Sequence, residues 1–583
     1  MSSLLHNLAR NGDISWLSYY FAEFVAKQAQ SGTDDLLALS AALVSEANQR
    51  GDVCIELGRF NQRPLFNSNY IDATEIPCGI DSSSWCAQLR TSYCVGGPSD
   101  SAPLTLDGER LYLNRYWNYE EQVATRIRAM LEIREDLDNE RISQQVEQIF
   151  AGSAPVDQDQ KHSVATAARK HFCVVSGGPG SGKTSTVIRI LAVLTALDPN
   201  IRIALIAPTG KAAARMMDSI SQRINHIDMD PAVRDALPTK ASTIHRLLGY
   251  RRHGYRYHEH HQLALDCVVV DEASMIDLKL MFHLLTALPA TARLILLGDR
   301  DQLASVAAGN VLGDITGHGF AFDPASTPLA ASIALLRNNY RFGHDSAIGE
   351  LAAHVNQGQS KAALELMRGG DRGLRWYAEG QDQIHADALA WLYAAYEPIF
   401  DRNSPAAALE VYEKTRVLCA TNQGPLGVKS LNRMISQAML ARNYLAESDL
   451  YAGLPILIKR NHHELGLFNG DTGILWRYKT GLRACFRDST GDIRDLAVNR
   501  LPEFVPAWAS TVHKSQGSEF DSVFLILPSD PDSEALSREL LYTAITRARQ
   551  QFILHASESV VNSSIEHLTH RHSGLARKLG WPD

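Results

Sequence analysis

The sequence predicts an α/β protein with two parallel sheets, a small β insertion in the second sheet and a mainly helical N-terminal region. Short apolar runs of strand length recur along the chain, separated by stretches of helical length, and this alternation predicts the sheets. After about residue 445 the pattern changes to short strands broken by turns, which predicts the insertion. Of the 583 residues, 45% are hydrophobic, enough to bury several cores.

Residues 1–115 are predicted to be mostly helical, with a loop-rich stretch at 78–103. The first segment is apolar in places, but Asn7, Arg10 and Asp13 interrupt it before a signal peptide or membrane span could form. We therefore expect a helix of a soluble, cytoplasmic protein with no membrane partner.

The eight cysteines give little sign of a metal site. Cys78, Cys86 and Cys94 form the only cluster, and they lack CxxC pairs and a fourth ligand. Reduced structural thiols are therefore favoured over a metal centre. Cys173 and Cys267 lie inside apolar runs and are predicted to be packing residues.

The apolar runs fall into two blocks, because fully buried parallel strands appear as continuous apolar sequence. The predicted strands are 172–176, 202–207, 267–270 and 294–298 in the first block, and 416–420, 522–527 and 551–556 in the second. A helical segment is predicted after Arg110, at 118–136, and further helical stretches near 345–370, 383–398 and 427–442. The predicted domains are 1–115, 116–335 and 336–583, with the insertion at about 445–507.

A phosphate-binding loop follows the first strand. It matches GxxxxGK[ST] and consists of Gly177, Gly178, Pro179, Gly180, Ser181, Gly182, Lys183 and Thr184. Its glycines let backbone N–H groups converge on phosphate oxygens at a helix N-terminus. Lys183 is expected to reach the β- and γ-phosphates of ATP, and Thr184 to ligate Mg²⁺.

A carboxylate pair, Asp271 and Glu272, follows the apolar strand 267–270. The carboxyl ends of parallel strands form the usual ligand edge of such sheets. Asp271 is expected to hold magnesium, and Glu272 to orient and deprotonate the attacking water. A solvated turn would be the more common interpretation of such a pair alone, but the upstream phosphate loop favours the catalytic one.

Two arginines, Arg341 and Arg547, belong to or border the second block. Phosphoryl transfer needs positive charge near the γ-phosphate, and in a motor that charge arrives from a moving part. Either arginine alone would more often be a surface residue. Closure of a cleft between the two blocks would insert both.

The chain resembles the RecD family of superfamily 1 helicases over about residues 155–556. The resemblance is carried, in order, by GGPGSGKTSTV, IAPTGKAAARM, STIHRLLG, VVVDEASMIDL, LLGDRDQLASVAAGNVLGDI, NNYRF, FNGDTGIL, TVHKSQGSEFDSVFLILP and LLYTAITRAR. It implies a monomeric, ATP-dependent DNA helicase and translocase of class 1B that moves 5′ to 3′. It also implies two RecA-like P-loop domains, an SH3-like insertion and a hairpin near residues 251–262 that faces the duplex fork.

The resemblance assigns further nucleotide contacts. Gln160 is similar to the glutamine that reads adenine, Gln302 to a γ-phosphate sensor, and Glu519 to a residue near the ribose. The alternatives are a solvated side chain for Gln160, a loop amide satisfied by the backbone for Gln302 and a surface carboxylate for Glu519.

The resemblance also assigns a DNA interface, whose residues carry hydroxyls, backbone amides and one cation. They are Pro208, Thr209, Lys211, Thr243, His245, Thr511 and His513. Such groups suit phosphate oxygens without reading bases. The net charge of −8 agrees with a modest grip that permits stepping. Helix N-capping is the alternative for Thr243 and Thr511.

The family implies a place in a RecBCD-type helicase–nuclease, or exodeoxyribonuclease V, that repairs double-strand breaks and degrades DNA. The partners would be RecB-like and RecC-like subunits, single-stranded DNA and duplex ends, with residues 1–115 docking to the subunits and a partner carrying the nuclease. One alternative is a stand-alone RecD-like helicase, although only about 115 residues precede the motor and they lack helix-hairpin-helix elements. The other is an interaction subunit without ATPase activity, which the intact catalytic residues disfavour.

Overall fold

The structure is a computed structural model. It describes residues 2–582 except 30–33, 69, 99, 134–137, 153–155, 318–322, 324–325, 342–345, 371–372, 379–382, 443–449, 461, 480 and 489–490. Residues 134–136 and 345 of predicted helices, and 445–449, 461, 480 and 489–490 of the predicted insertion, therefore lie outside the described residues. Among the helices that are described, none combines the length and apolarity that crossing a bilayer requires.

The N-terminal unit packs helices against a small sheet of strand order β1-β4-β3-β2. Its elements are α1 (Ser2–Asn11), α2 (Trp16–Gln28), α3 (Asp34–Gln49), β1 (Cys54–Glu56), α4 (Ser82–Leu89), β2 (Val95–Gly96), β3 (Leu104–Asp107) and β4 (Arg110–Leu113). The long helices α1, α2 and α3 fit the mostly helical prediction, but α4 lies in the stretch 78–103 that was predicted to be loop-rich. The sheet was not predicted, because strands of two to four residues are too short to show a periodic pattern.

The first motor region is built on a six-stranded parallel sheet of order β12-β5-β11-β10-β6-β7. Its helices are α5 (Asn114–Glu132), α6 (Asn139–Phe150), α7 (Gln158–Arg169), α8 (Lys183–Leu197), α9 (Gly210–Arg223), α10 (Pro231–Ala236), α11 (Ile244–Leu247), α12 (Leu278–Ala287) and α13 (Val311–Thr316). Its strands are β5 (Phe172–Gly177), β6 (Ile203–Ala207), β7 (Ala241–Thr243), β8 (Tyr250–Arg251), β9 (Gly254–Tyr255), β10 (Cys267–Val270), β11 (Arg293–Gly298) and β12 (Ile333–Leu336). All four predicted strands are confirmed, while β7 and β12 were not foreseen.

Both faces of this sheet are buried. Val268 and Val270 of β10 belong to the core under α5 and α12, whereas Val269 belongs to the core under α6, α7 and α8. Cys173 and Cys267 are fully buried, and desolvation raises the pKa of each thiol to about 12, which confirms them as packing residues. The antiparallel hairpin β8–β9 lies within the segment where a hairpin was predicted.

The second motor region is built on a five-stranded parallel sheet of order β13-β22-β21-β14-β20. Its helices are α14 (Ala347–Asn356), α15 (Ser360–Gly369), α16 (Ala386–Tyr396), α17 (Pro405–Lys414), α18 (Val428–Arg442), α19 (Arg538–Ile545) and α20 (Glu558–Glu566). Its strands are β13 (Leu374–Tyr377), β14 (Thr415–Cys419), β15 (Pro455–Ile458), β16 (Thr472–Tyr478), β17 (Gly481–Arg487), β18 (Ile493–Ala497), β19 (Phe504–Pro506), β20 (Ala509–Thr511), β21 (Phe520–Ile526) and β22 (Ala548–His555).

The insertion is an antiparallel sheet of order β18-β17-β16-β15-β19 between β14 and β20 of the parallel sheet. Its buried residues, such as Ile456 and Ile474, share one core with Val417 and Phe524 of the parallel sheet. A small β insertion is thus confirmed, and its SH3-like character stays a prediction. The shared core fixes the insertion to the second motor region.

A C-terminal strap, residues 567–582, leaves the second motor region and crosses to the first. It contains α21 (Leu575–Lys578). Leu575, Leu579 and Trp581 belong to the core beneath the first parallel sheet. The Trp581 indole N–H donates to the carbonyl of Ile315 at 3.1 Å. The prediction that assigned all of residues 336–583 to the second domain did not foresee this return.

Candidate active site and nucleic-acid interface

A cavity of about 600 Å³ lies between the two motor regions and is lined by residues from both. It brings together the predicted residues Gln160, Pro179, Gly180, Gly182, Lys183, Thr184, Asp271, Glu272, Gln302, Arg341, Glu519 and Arg547. Gly177, Gly178 and Ser181 line a neighbouring cavity of about 390 Å³ behind the same loop. Motifs far apart in sequence therefore converge on one site.

The phosphate-binding loop joins β5 to α8 through a backbone that requires glycine. Gly180 and Gly182 both have φ of 86°, in the left-handed region that glycine adopts without strain. A Cβ at Gly182 would also lie 2.5 Å from Nε2 of Gln160. Nζ of Lys183 donates hydrogen bonds to the carbonyls of Gly177 at 2.5 Å and Gly178 at 3.1 Å, which places the cation inside the loop.

The carboxylate pair lies at the carboxyl end of β10. Burial, with the charge of Glu272 adding to it, raises the pKa of Asp271 to about 6. The Glu272 N–H donates to Oδ1 of Asp271 at 2.9 Å. Glu272 has φ of 53°, a conformation that costs about 1–3 kcal/mol for a residue other than glycine and clusters at functional sites. Both residues line the cavity.

Oxygen donors surround the loop. Thr184 and Asp271 line the same cavity and supply the hydroxyl and carboxylate oxygens that Mg²⁺ prefers. The buried Oγ atoms of Ser181 and Ser274 neither donate nor accept a hydrogen bond within the described part of the chain. This donor set fits a magnesium ion that keeps most of its water ligands. In the described ranges, no group of three or more His, Cys, Asp or Glu residues could form an all-protein metal site.

Gln160 is buried, with a relative exposure of 6%, so it is not a solvated side chain. Its backbone N–H donates to the Asp157 carboxylate at 3.1 Å, and its Oε1 accepts from Arg189 at 3.2 Å. The Arg189 guanidinium lies 4.6 Å from the centre of the Phe150 ring. The Tyr340 hydroxyl donates to Asp157. Sequence analysis missed Phe150, Arg189 and Tyr340, of which only Tyr340 lies in a recognised motif string.

Glu519, in the second motor region, pairs with arginines from both sides of the cavity, so it is not an isolated surface carboxylate. Its oxygens lie 2.6 Å from Arg341, 3.2 Å from Arg549 and 3.6 Å from Arg215. Burial by itself would raise the pKa of Glu519, but the positive charges outweigh it and the pKa is lowered. Arg215 and Arg549 were not singled out from the sequence, although each lies within a quoted motif string.

Arg547 is 3% exposed and is hydrogen-bonded to Gln302 across the boundary between the motor regions. Its guanidinium donates to Oε1 of Gln302 at 2.6 Å and to the carbonyl of Thr543 at 3.1 Å. Nε2 of Gln302 donates to Asp299 at 2.9 Å, and the Tyr542 hydroxyl donates to the same carboxylate at 3.2 Å. The amide of Gln302 is thus bound by side chains of both regions rather than by the backbone.

The loop after Gln302 continues this connection. The Leu303 N–H donates to Oγ1 of Thr543 at 3.0 Å, and the Leu303 carbonyl accepts from Nε2 of Gln516 at 2.8 Å. Both partners belong to the second motor region. A movement of that region therefore reaches the loop through three side chains.

Two candidate DNA contacts lie at neighbouring strand ends, where β6 pairs with β7 and Ala207 is opposite Thr243. Thr209, after Pro208, accepts a hydrogen bond from the Ala212 N–H, and Thr243 accepts one from the Arg246 N–H, each at 3.2 Å. Both threonines are thus helix N-caps, as the alternative for Thr243 proposed. Capping uses the hydroxyl as an acceptor and leaves its proton free to donate to a phosphate.

Lys211 lies beside the β insertion. Its side chain reaches solvent, but the surrounding protein together with Arg416 and Arg215 lowers its pKa to about 8. The Phe468 ring of the insertion lies 3.9 Å from the position that a Cβ on Gly210 would take. A DNA strand that passes over α9 would therefore run between the first motor region and the insertion.

The remaining candidates are two histidines and Thr511. Thr511 precedes a turn that it does not cap with its side chain. Burial lowers the pKa of His245 and, with Arg571 adding to the effect, that of His513, so both are neutral at neutral pH. The His245 ring lies edge-on to Tyr250 of the hairpin, with centroids 5.8 Å apart.

The motifs also match known families. Residues 10–112 match the family described as the N-terminal domain of RecBCD enzyme subunit RecD, residues 160–308 an AAA domain, and residues 506–555 the UvrD-like helicase C-terminal domain. These matches divide the chain in the same order as its three structural units.

Curated relatives extend the similarity to nearly the whole chain. The RecBCD enzyme subunit RecD of Haemophilus influenzae is 33% identical over 99% of each chain, and that of Mycolicibacterium smegmatis is 35% identical over 94% of each. The ATP-dependent RecD2 DNA helicase of Deinococcus radiodurans is 30% identical over 69% of this chain and 49% of its own. Among solved structures, Bacteroides Pif1 helicase with ADP-AlF3 and single-stranded DNA has a TM-score of 0.37 at 18% identity, covering 69% of this chain and 92% of its own.

Proposed function

The chain belongs to the RecD family, and we propose that it is the ATP-driven DNA motor of a RecBCD-type helicase–nuclease. The observation that carries this proposal is the cavity, where the phosphate loop and carboxylates of one α/β unit face arginines of the other. A nucleotide in such a cavity contacts both units. Its hydrolysis therefore changes how tightly the two units hold together.

The first motor region supplies nucleotide binding and water activation. The loop amides and Lys183 neutralise the phosphates, while Gln160 lies next to the loop where the base would be read. Thr184 and Asp271 would hold a magnesium ion, which supplies charge neutralisation on the phosphate oxygens when bound. Glu272 projects from a constrained backbone into the cavity and acts as the base for water.

Arg547, from the second motor region, and Arg341, from the segment between the two regions, supply the positive charge that phosphoryl transfer needs. Tyr340, next to Arg341, donates its N–H to the Gly180 carbonyl at 2.8 Å, so this segment is bonded to the phosphate loop. Arg341 and Arg547 line the cavity but are hydrogen-bonded to Glu519 and Gln302. A γ-phosphate competes with these protein acceptors for the arginines. When Arg547 leaves Gln302 for the γ-phosphate, the contacts of Gln302 change. The loop that follows Gln302 therefore responds to the state of the nucleotide.

The DNA path runs across the carboxyl ends of both sheets, over Pro208, Thr209, Lys211, Thr243, His245, Thr511 and His513. Their hydroxyls, neutral rings and single cation contact phosphate and sugar, so these contacts do not depend on the base sequence. Such contacts can break and re-form at every step, as translocation requires. We assign the 5′ to 3′ direction on the family resemblance.

The partners we propose are RecB-like and RecC-like subunits, one of which carries the nuclease. The RecD subunits of Haemophilus influenzae and Mycolicibacterium smegmatis match this chain over 94% or more of both lengths, whereas the RecD2 helicase is matched over 49% of its own length. This difference favours the complex subunit over the stand-alone helicase. The complete set of cavity residues disfavours a subunit without ATPase activity.

Unwinding of tailed duplexes tests the function and its direction together. In the presence of ATP and magnesium, the protein is expected to unwind a duplex with only a 5′ overhang and not one with only a 3′ overhang. Preference for the 3′ tail would contradict the 1B assignment and leave the ATPase site intact. Co-purification with two further subunits would separate the complex from the stand-alone alternative.

A further inference from the structure

The segment from Gln302 to Asn310, which we name the sensor loop, joins β11 to α13. At its start, Gln302 and Leu303 are hydrogen-bonded to Arg547, Thr543 and Gln516 of the second motor region. This end of the loop therefore follows the second region when the cleft opens or closes. What the rest of the loop does depends on how its other end is held.

The far end of the sensor loop is held by the first motor region and the N-terminal unit. The Gly309 N–H donates to the carbonyl of Gly51 at 2.9 Å, and the Leu278 N–H donates to the carbonyl of Ala308 at 3.2 Å. Within the loop, buried Ser305 donates from Oγ to the carbonyl of Gly309 at 3.1 Å. These bonds give the far end a defined shape.

The C-terminal strap adds a charged contact at the same place. One guanidinium nitrogen of Arg571, NH1, donates to the carbonyl of Ala307 at 2.8 Å and to that of Gly309 at 3.2 Å. Burial lowers the pKa of Arg571, but a guanidinium remains charged at any physiological pH. A charged donor shared by two carbonyls is stronger than the neutral bonds around it.

Arg571 is itself fixed by its neighbour in the strap. The His572 N–H donates to the Asp52 carboxylate at 2.8 Å, and the His572 carbonyl accepts from the Val53 N–H at 2.8 Å. Further along, the Gly574 N–H donates at 2.9 Å to Glu120, a fully buried carboxylate that also lies 3.3 Å from Nζ of Lys578. The strap is therefore anchored on the first motor region and the N-terminal unit.

The sensor loop thus has one end on the moving region and one end on a fixed support. Val306, near the middle of the loop, is 76% exposed. Arg571 is close enough to His513, a candidate DNA contact, for its charge to act on that ring. Gln516, three residues after His513, donates to the Leu303 carbonyl at 2.8 Å, so the sensor loop lies beside the segment proposed to contact DNA.

We propose that Arg571 is a positioning residue that fixes the far end of the sensor loop, so that partner exchange at Gln302 displaces the exposed middle of the loop beside the DNA. This role rests on the proposed motor function. Without the support, movement at Gln302 would be absorbed by rearrangement of the loop, and nucleotide state would be poorly coupled to DNA.

The test uses the full-length chain with Arg571→Met, which keeps side-chain length and packing but removes the donor and the charge. The matched control is Arg577→Met, which removes an arginine from the same strap that pairs with Asp107 at 3.3 Å. Arg571→Met is expected to speed amide hydrogen exchange across residues 303–310. It is also expected to lower the ratio of DNA-stimulated to DNA-free ATPase about tenfold, with little change in KM for ATP. Arg571→Lys, which restores a charged donor, is expected to recover most of that ratio.

Three results would overturn the proposal: wild-type exchange and ratio in Arg571→Met, an equal loss in Arg577→Met, or no recovery in a folded Arg571→Lys. Failure of the proposed motor function is distinguishable. In that case even the wild-type protein would show no stimulation by DNA, while exchange at 303–310 would still report whether Arg571 holds the loop.

Discussion

In the first motor region the phosphate loop and the carboxylate pair of the nucleotide cavity follow strands directly, whereas the second region lines the cavity with side chains from separate segments. In the first, the phosphate loop and the Asp271–Glu272 pair are positioned by backbone geometry at strand ends. In the second, Glu519 and Arg547 come from separate segments. They are positioned by hydrogen bonds to Arg341, which lies between the two regions, and to Gln302.

This difference assigns separate tasks to the two regions. Backbone geometry persists whether or not nucleotide is bound, so the first region is suited to binding. Side-chain hydrogen bonds exchange when a better acceptor arrives, so the second region is suited to sensing and hydrolysis. Substitutions in the two regions should therefore separate affinity from turnover.

Arg547→Ala should give the largest effect, about a 10³-fold or greater loss of ATP turnover, because an arginine brought by a moving part stabilises charge in the transition state. Nucleotide affinity should fall much less. Steady-state ATPase rates and nucleotide titrations measure the two quantities. Arg549→Ala, which removes a half-exposed partner of Glu519, is the control. Equal losses of affinity and rate in Arg547→Ala would mean a structural role and would end the proposed division of tasks.

Lys183→Ala and Glu272→Gln should each lower DNA-stimulated ATPase by at least about a hundredfold, because they remove phosphate neutralisation and water activation. Both variants should fold, as circular dichroism and thermal unfolding would establish. Lys183→Ala should also lose nucleotide affinity, whereas Glu272→Gln should keep it. Near-normal turnover in either purified variant would refute the site assignment.

The paired substitution Thr511→Ala with His513→Ala should abolish unwinding and reduce stimulation by single strands, while DNA-free turnover changes little. The contacts go to phosphates and sugars, so the loss should be similar on different sequences. Because the lowered pKa keeps His513 neutral, no cation is removed and the salt dependence of binding should hardly change. A sequence-dependent loss, or a weaker salt dependence, would contradict this assignment.

Asp299→Asn should give the smallest effect, a change in stability with pH. Burial, with Asp301 adding to it, raises the pKa of Asp299 to about 6 in the folded protein, so ionisation of the native carboxyl above that pH costs stability. The variant should therefore unfold at a temperature a few degrees higher than wild type above about pH 6. This gain should shrink as pH falls towards 4. A gain independent of pH would exclude the buried charge as its source.

The strands that could be predicted are those buried on both faces. Residues 267–270 were predicted to the residue because all four are apolar and fully buried. By contrast, β7 is half-exposed and contains serine and threonine, and only Leu374 of the four β13 residues is buried, so neither shows an apolar run. A sequence pattern reveals a strand through its buried apolar residues, and edge strands bury fewer of their residues.

The same limit applies to the site. The phosphate loop and carboxylate pair are local in sequence and were found, and Arg341, Gln302 and Glu519 were found through the motifs. Arg189 and Arg215 are bound by Gln160 and Glu519, which lie on other segments. A local sequence pattern cannot predict the position of a side chain whose partner is brought close only by the tertiary fold.

The return of the strap to the first motor region also affects how the chain is made. The core beneath the first sheet is completed by Leu575, Leu579 and Trp581, which leave the ribosome only after the whole second region has been synthesised. At roughly 5–20 residues per second, that core waits tens of seconds for its last side chains. Apolar surface on α5 and α13 is exposed to chaperones during this interval, so the nascent first region is a candidate substrate for them until translation reaches Trp581.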